Sequence, residues 1–330
     1  MKDFPMDHAK IMISTIFLGP GDDVDRRLRE VGLEPIYRPF SGKRKEEELI
    51  DLLRGVVGVI VSSDPFTARV LQAADCLKVI SRTGVGYDAI DVGAATARGI
   101  VVCTTPGVNR HAVADLALAL ILCCARKLAQ NLAEVRRGGW TRHEGVDLQG
   151  KTLGLVGLGT IGKEVALRAK AFGMNILAYD IVHDLPFAER LGVVYTSLEN
   201  LMRQSDFVSL HIFLSDATRH LINAERLALM KPTAHLINTA RGGIVDTAAL
   251  CQALAEKRIA GAALDVVEGE PVRADNPLTA FENVYLTPHF GGATADARRL
   301  SGIMAAENLI CALQGGRPQG IVNPEVLAAR

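Results

Sequence analysis

Short apolar runs alternate with stretches of helical periodicity along the chain. KIMIST, EPIY, VVGVIVSS, LKVIS and GIVVCTT are set among the helix-like segments Asp23–Val31, Glu46–Arg54, Thr67–Ala73 and Asp88–Arg98. Strand and helix in regular turn predict a parallel sheet with helices on both faces. A long helical stretch, Asn109–Val135, leads through Gly138, Gly139 and Trp140 into a second series: KTLGLVG, NILAYD, FVSLHI, AHLINT, GAALDV and NVYLT. The economical fold class is therefore α/β, with two doubly wound parallel-sheet domains. Ala295–Leu313 predicts one more amphipathic helix, ahead of the turn GGRPQG and a tail containing Asn323 and Pro324.

Composition narrows the function. The 330 residues are 48% hydrophobic and 22% charged, which fits a globular protein of two domains and excludes disordered or collagen-like chains. The 37 basic residues balance the 37 acidic ones, so the excess of cations that a nucleic-acid partner would require is missing. The start, MKDFPMDHAK, carries charges and a proline where an export signal needs an unbroken apolar stretch. Leu116–Ala125 is the longest apolar run, about half of what spans a bilayer, and reads as a buried helix rather than a membrane segment. Cys76, Cys103, Cys123, Cys124, Cys251 and Cys311 form no CxxC pair and read as thiols of a reducing cytoplasm. No His or Cys spacing suggests a metal site. Among the histidines, His211 is expected near a cofactor because it ends a strand, and His8, His111, His143, His183, His220 and His235 as surface or structural residues.

Chemistry concentrates in the second half. In KTLGLVGLGTIGKEVALRAKAFGMNILAYD, Gly157, Gly159 and Gly162 form a GxGxxG between an apolar strand and a helical pattern. Gly157 allows a tight turn, Gly159 lets the backbone approach a pyrophosphate, and Gly162 lets the helix pack close to the sheet. The helix N-terminus then holds the anion. Asp180 follows Gly162 by 18 residues at the end of the next strand, where a carboxylate binds the adenosine ribose of NAD and repels the 2′-phosphate of NADP. Arg241, Glu270 and His289 each follow an apolar run, and in an open α/β sheet such residues converge beyond the carboxyl ends of the strands. Together they suffice for a 2-hydroxy acid: Arg241 pairs with the carboxylate, His289 exchanges the hydroxyl proton, and Glu270 orients His289 and raises its pKa.

These motifs, with ISRTGVGYDAIDV, NRHAVADLALALIL, MKPTAHLINTARGGIVDTAALCQAL, GAALDVVEGEP, NVYLTPHFGGAT and the terminal AAENL and VNPEV, resemble the D-isomer-specific 2-hydroxyacid dehydrogenases. The resemblance implies a flavodoxin-like substrate domain, residues 1–106 and 298–330, and a Rossmann NAD domain, residues 107–297, closing about a hinge. It implies Arg241, Glu270 and His289 as the catalytic set. Glu270 is taken over Glu268 because the family glutamate precedes proline, and Glu268 reads as solvated. Thr160, Ile161, Thr239, Ala240, Asp265, Gly291 and Gly292 are implied to contact the cofactor, and Val85 and Gly86 to hold the substrate carboxylate with their amides. Arg82 stands beside that loop. A homodimer is expected, attributed to the apolar stretch Leu116–Ala125.

The departures bear on cofactor affinity and substrate. HxPL reads His211, Ile212, Phe213, Leu214; Thr160 replaces a common arginine; Asp115 replaces a hinge-helix glutamate; Ser62 and Ser63 stand where several phosphoglycerate dehydrogenases carry arginine, although Arg82 could bind a phosphate. The chain ends at Arg330, and no C-terminal regulatory domain is expected. The function expected is an NAD-dependent dehydrogenase of a small D-2-hydroxy acid such as 3-phosphoglycerate, glycerate or the glyoxylate pair. The rivals are an NAD-sensing corepressor-like protein on the same scaffold and a phosphite- or formate-type dehydrogenase.

Overall fold

The structure, a computed structural model, describes residues 8–40, 42 and 44–328. Among them the chain forms two compact units, one made of the described residues up to Asn109 together with those from Gly292 onward, the other of Arg110–Gly291. The divisions thus fall after 109 and 291 rather than after 106 and 297. A break at 297 would cut the helix Ala295–Leu313, which stays whole within the first unit.

In the first unit, β1 (Lys10–Ile13), β2 (Glu34–Tyr37), β3 (Val56–Val61), β4 (Val79–Arg82) and β5 (Val101–Cys103) form a parallel sheet in the order β2-β1-β3-β4-β5. This is the flavodoxin-like order. Ala305, Ala306, Leu309, Ile310 and Leu313 of Ala295–Leu313 pack with Ile11, Ile13, Ile60 and Val79. Gly58 in β3 makes room for them, since a Cβ there would lie 3.0 Å from a Leu309 methyl. The tail is fixed by Asn323, fully buried: its Oδ1 accepts from the Val102 amide at 2.8 Å, and its Nδ2 donates to the Ile100 carbonyl and Thr96 Oγ1, both at 2.9 Å.

In the second unit the strands are β6 (Thr152–Val156), β7 (Asn175–Tyr179), β8 (Val193–Tyr195), β9 (Phe207–Leu210), β10 (His235–Asn238), β11 (Gly261–Leu264) and β12 (Val284–Leu286). All run parallel in the order β12-β11-β10-β9-β6-β7-β8, the Rossmann order with one strand added at the β11 edge. The six expected strands are present, and a seventh, β8, was not anticipated. It is three residues long, too short to show a period.

The expected single stretch Asn109–Val135 is two helices, Arg110–Ala125 and Leu128–Arg136. Lys127, with φ +46°, breaks them, because a left-handed residue cannot continue a right-handed helix. The first helix is buried within its own unit: Ala114, Ala117, Leu120, Ile121, Cys124 and Ala125 pack with Leu153, Leu155, Val165 and Ala169.

Replacing Asn323 with Ala should leave the Val102 amide and the Ile100 carbonyl buried without partners. By the usual penalty for such groups, about 2–4 kcal/mol of stability should be lost, read as a lower urea midpoint.

Candidate active site

The Gly-rich turn follows β6 and opens the helix Thr160–Ala171. Gly157 has φ +99°, and a Cβ on it would lie 2.6 Å from the His211 carbonyl oxygen, so both conformation and space require glycine. A Cβ on Gly162 would lie 2.2 Å from the Gly157 oxygen, which is how close the helix comes to the turn. Gly159 differs: nothing lies within 4 Å of its would-be Cβ. It begins the helix without a side-chain cap, so the first-turn amides of Thr160 and Ile161 face a space that an anion can fill. Asp180, just past β7, accepts from the Leu158 amide at 2.6 Å and the Val182 amide at 3.1 Å. The carboxylate therefore ties the Gly-rich turn to the neighbouring strand end.

Across the sheet, β10, β11 and β12 are neighbours, and their following loops carry Arg241, Asp265 with Glu270, and His289. His289 Nδ1 lies 2.7 Å from Glu270 Oε2, and the Val267 amide donates to Glu270 Oε1 at 3.1 Å. Burial raises the Glu270 carboxyl, but the His289 hydrogen bond and charge, the Val267 amide and Arg241 outweigh it. The group ends below the usual carboxylate range. Arg241 Nη1 donates to the Ala240 carbonyl at 2.7 Å. Asn238, fully buried, accepts from the Ala240 amide at 3.0 Å and donates to the Arg241 carbonyl at 2.9 Å, shaping the turn that presents Arg241.

Asp265 is 2% exposed and accepts from Thr287 Oγ1 at 2.6 Å, the Phe290 amide at 3.0 Å and the Gly291 amide at 2.9 Å. It thus closes the turn in which His289 adopts φ +50°. Thr239 Oγ1, at the end of β10, is buried with no hydrogen-bond partner among the described residues. An unpaired buried hydroxyl there and the open anion cradle at Gly159 both fit a bound dinucleotide.

Arg82, Val85, Gly86 and Gly292 belong to the first unit. There the Gly84 amide donates to Thr105 Oγ1 at 2.7 Å, the Thr105 amide returns a bond to the Gly84 carbonyl at 3.0 Å, and Ser62 Oγ lies 2.9 Å from Thr83 Oγ1. The Arg82 guanidinium folds over Gly84, where a Cβ would meet it at 2.3 Å. A Cβ on Gly292 would lie 3.5 Å from Asn109 Nδ2.

One reading changes. Glu268, one-third exposed, is also paired: its Oε1 lies 2.7 Å from His220 Nε2, and its Oε2 accepts from Thr247 Oγ1 at 2.7 Å. Neither partner was singled out in the sequence, since His220 and Thr247 lie far from Glu268 along the chain. His211 does border the Gly-rich turn, through its carbonyl. Burial pushes its imidazole down to about 4, so the ring is neutral at pH 7, with Nε2 2.9 Å from Ser209 Oγ. Among the described residues no cluster of His, Cys, Asp or Glu is built to hold a metal, and no helix is long and apolar enough to cross a membrane.

Sheet order and Gly-rich turn together define a Rossmann dinucleotide-binding unit. Residues 118–291 match the family described as D-isomer specific 2-hydroxyacid dehydrogenase, NAD binding domain. The chain is 47% identical over 321 residues to a glyoxylate reductase of Korarchaeum cryptofilum, covering 93% of this chain and 97% of that one. It is 43% identical over 305 residues to a D-3-phosphoglycerate dehydrogenase of Methanocaldococcus jannaschii, covering 92% of this chain but 57% of that protein. The solved structure of a glyoxylate reductase from Paecilomyes thermophila superposes with a TM-score of 0.86 at 31% identity, over 98% of this chain and all of that one. The chain belongs to the D-isomer-specific 2-hydroxyacid dehydrogenase family, and is an NAD-dependent oxidoreductase of the CH–OH group.

Because the native environment holds the Glu270 carboxyl below its ordinary range, the charged group stabilises the fold at neutral pH. That contribution is lost as pH falls through the lowered native value. Glu270→Gln should therefore show a shallower loss of stability on acidification than the unmutated protein, measured by urea midpoints between pH 7 and roughly pH 3, the range that brackets carboxylate titration.

Proposed function

We propose that this dehydrogenase reduces a small 2-keto acid of the glyoxylate or hydroxypyruvate type, with His289 as the proton donor. The observation that carries the reading is the 2.7 Å contact between His289 and Glu270 on loops of adjacent strands, with Arg241 on the next. Glu270 accepts from Nδ1, which fixes the ring and leaves Nε2 as the nitrogen that serves the substrate. Bound NADH supplies the hydride for carbon 2. His289 gives its proton to the keto oxygen as that oxygen becomes a hydroxyl, and takes it back in the reverse direction. Arg241 pairs with the substrate carboxylate and stabilises the charge growing on the oxygen. The amides of Val85 and Gly86, with Arg82, are assigned to the substrate in the first unit, and the second unit to NAD. Thr160 and Ile161 are assigned to the cofactor by their amides, Gly291 and Gly292 to the cofactor as well, Thr239 and Ala240 to the nicotinamide end, and Asp265 to both the cofactor and the His289 turn. The name of the Korarchaeum cryptofilum relative and the Ser62 and Ser63 hydroxyls, where a phosphate would call for arginine, favour an unphosphorylated acid.

Cofactor choice rests on Asp180, whose charge opposes a 2′-phosphate; the next residues, Ile181 and Val182, are exposed and apolar. The homodimer is assigned to a different surface from Leu116–Ala125, which its own subunit covers. Leu128, Leu132 and Val135 lie on one face of the helix Leu128–Arg136, each about half exposed, and Trp140 is 80% exposed. Such a patch calls for an apolar partner surface, and a second copy supplies one. The six cysteines, all free, suit a reducing cytoplasm.

Screening NADH oxidation against glyoxylate, hydroxypyruvate, pyruvate and phosphohydroxypyruvate tests the assignment; no turnover on any of them would favour the cofactor-sensing alternative. His289→Ala should lower turnover on the best substrate by roughly a hundredfold or more while NADH affinity stays nearly intact, and full turnover would refute the assignment. NADH should outperform NADPH, and Asp180→Ala should narrow the gap by weakening NADH; equal efficiency with both cofactors in the unmutated protein would contradict this. Light scattering should give a dimer, converted to monomer by Leu132→Glu with Trp140→Arg.

A further inference from the structure

The proton-transfer pair accounts for Glu270 and leaves Glu268, on the same loop, without a role. Glu268 is engaged on both oxygens. Oε1 meets His220 Nε2 at 2.7 Å, in the turn after β9, and Oε2 accepts from the hydroxyl of Thr247 at 2.7 Å and its amide at 3.3 Å, in the first turn of the helix Thr247–Ala255. Burial raises the carboxyl, but the bonds from His220 and Thr247 outweigh it and keep the charged form favoured.

Beneath the loop lies Gly242, the residue after Arg241. A Cβ on Gly242 would fall 2.0 Å from the Val267 carbonyl carbon and 2.5 Å from the Glu268 nitrogen. The Val267–Glu268 peptide is therefore pressed against the Arg241 segment on one side and tied by the Glu268 carboxylate on the other. The same stretch controls Glu270, because the Val267 amide donates to Glu270 Oε1 at 3.1 Å while Oε2 meets His289 at 2.7 Å. Any drift of the Val267 amide turns the Glu270 carboxylate relative to the imidazole.

We propose that Glu268 is a positioning residue, whose clamp on His220 and Thr247 holds the Val267–Glu268 backbone so that Glu270 stays aligned with His289. The proposal rests on Glu270 and His289 being the proton-transfer pair. The helix Thr247–Ala255 already has its own cap, Asp246, whose Oδ1 accepts from the Ala249 amide, so the service of Glu268 there is not the ordinary cap. The charged groups around the loop are Arg241 beside Glu270, His289 against it, His220 on Glu268, and Arg219 next to Gly243.

The test compares the unmutated protein with Glu268→Ala, Glu268→Gln and His220→Gln. Three quantities are measured: the midpoint of the His289 ring titration by NMR, assigned with His289→Asn; kcat and KM for the best keto acid; and the NADH dissociation constant by fluorescence. Glu268→Ala should lower kcat by about five- to twentyfold, as misalignment of reacting groups does, with KM and NADH affinity within about twofold. It should also move the His289 midpoint down by roughly half a pH unit, as the anionic partner loosens. Glu268→Gln, whose amide oxygen still accepts from Thr247, should recover most of both effects, and His220→Gln should show the same changes more weakly. If Glu268→Ala folds with an unchanged urea midpoint, kcat and His289 titration, the clamp is refuted. If Glu268→Ala fails to fold, His220→Gln decides: an unchanged His289 midpoint overturns the proposal. If the unmutated protein reduces no keto acid, the dehydrogenase reading of the site fails, and the His289 titration still decides whether Glu268 aligns the pair.

Discussion

Everything at the site depends on strands running parallel and side by side, so that their carboxyl ends share one edge of the sheet. With the order β12-β11-β10-β9-β6-β7-β8, the loops after β10, β11 and β12 are adjacent, and so are the ends of β6 and β7. Residues from 157 to 289 thereby fall into two groups on one edge of one unit. One group offers amides and open space at Gly159; the other offers a cation, a carboxylate and an imidazole.

Along that edge, carboxylates do much of the holding. Asp180 fastens the Gly-rich turn through the Leu158 amide, Asp265 closes the His289 turn through two amides and a hydroxyl, and Glu268 ties its loop to Thr247. An ionised acid accepting backbone N–H bonds is stronger and more directional than a neutral acceptor, and it fixes loops that have no strand to pair with. The same loops must present charged groups to a ligand, so apolar packing alone could not shape them. Glycines supply the remaining tolerance: Gly157, Gly162 and Gly242 each stand where a Cβ would overlap backbone.

Much of this was legible in the sequence because the determining signals are local. A strand, a glycine spacing and a terminal acid identify the β6–β7 unit, and apolar runs ending in Arg241, Glu270 and His289 mark loops that a parallel sheet must gather. The helix Ala295–Leu313 was legible as an element but not as the one-faced helix expected, since its buried residues, among them Asn308, Leu309 and Ile310 in succession, lie on more than one face. What stayed hidden depends on long-range contact or on one residue's backbone. The break at Lys127 turns on a single positive φ, and β8 is held by pairing with β7 rather than by any pattern of its own. Glu268 reads as a loop acid until the fold brings His220 and Thr247 to it. The apolar run Leu116–Ala125 signals burial but cannot say against what; its cover proves to be the sheet and helix of its own unit.

The central claim is that one imidazole, His289 held by Glu270, exchanges the substrate proton in both directions. Its most direct test is to follow both reactions of one substrate pair across pH with saturating cofactor. Reduction needs the protonated ring and should fall as pH rises; oxidation needs the neutral ring and should grow over the same range, about the same midpoint. Two profiles with the same trend, or midpoints that Glu270→Gln leaves in place, would contradict the account.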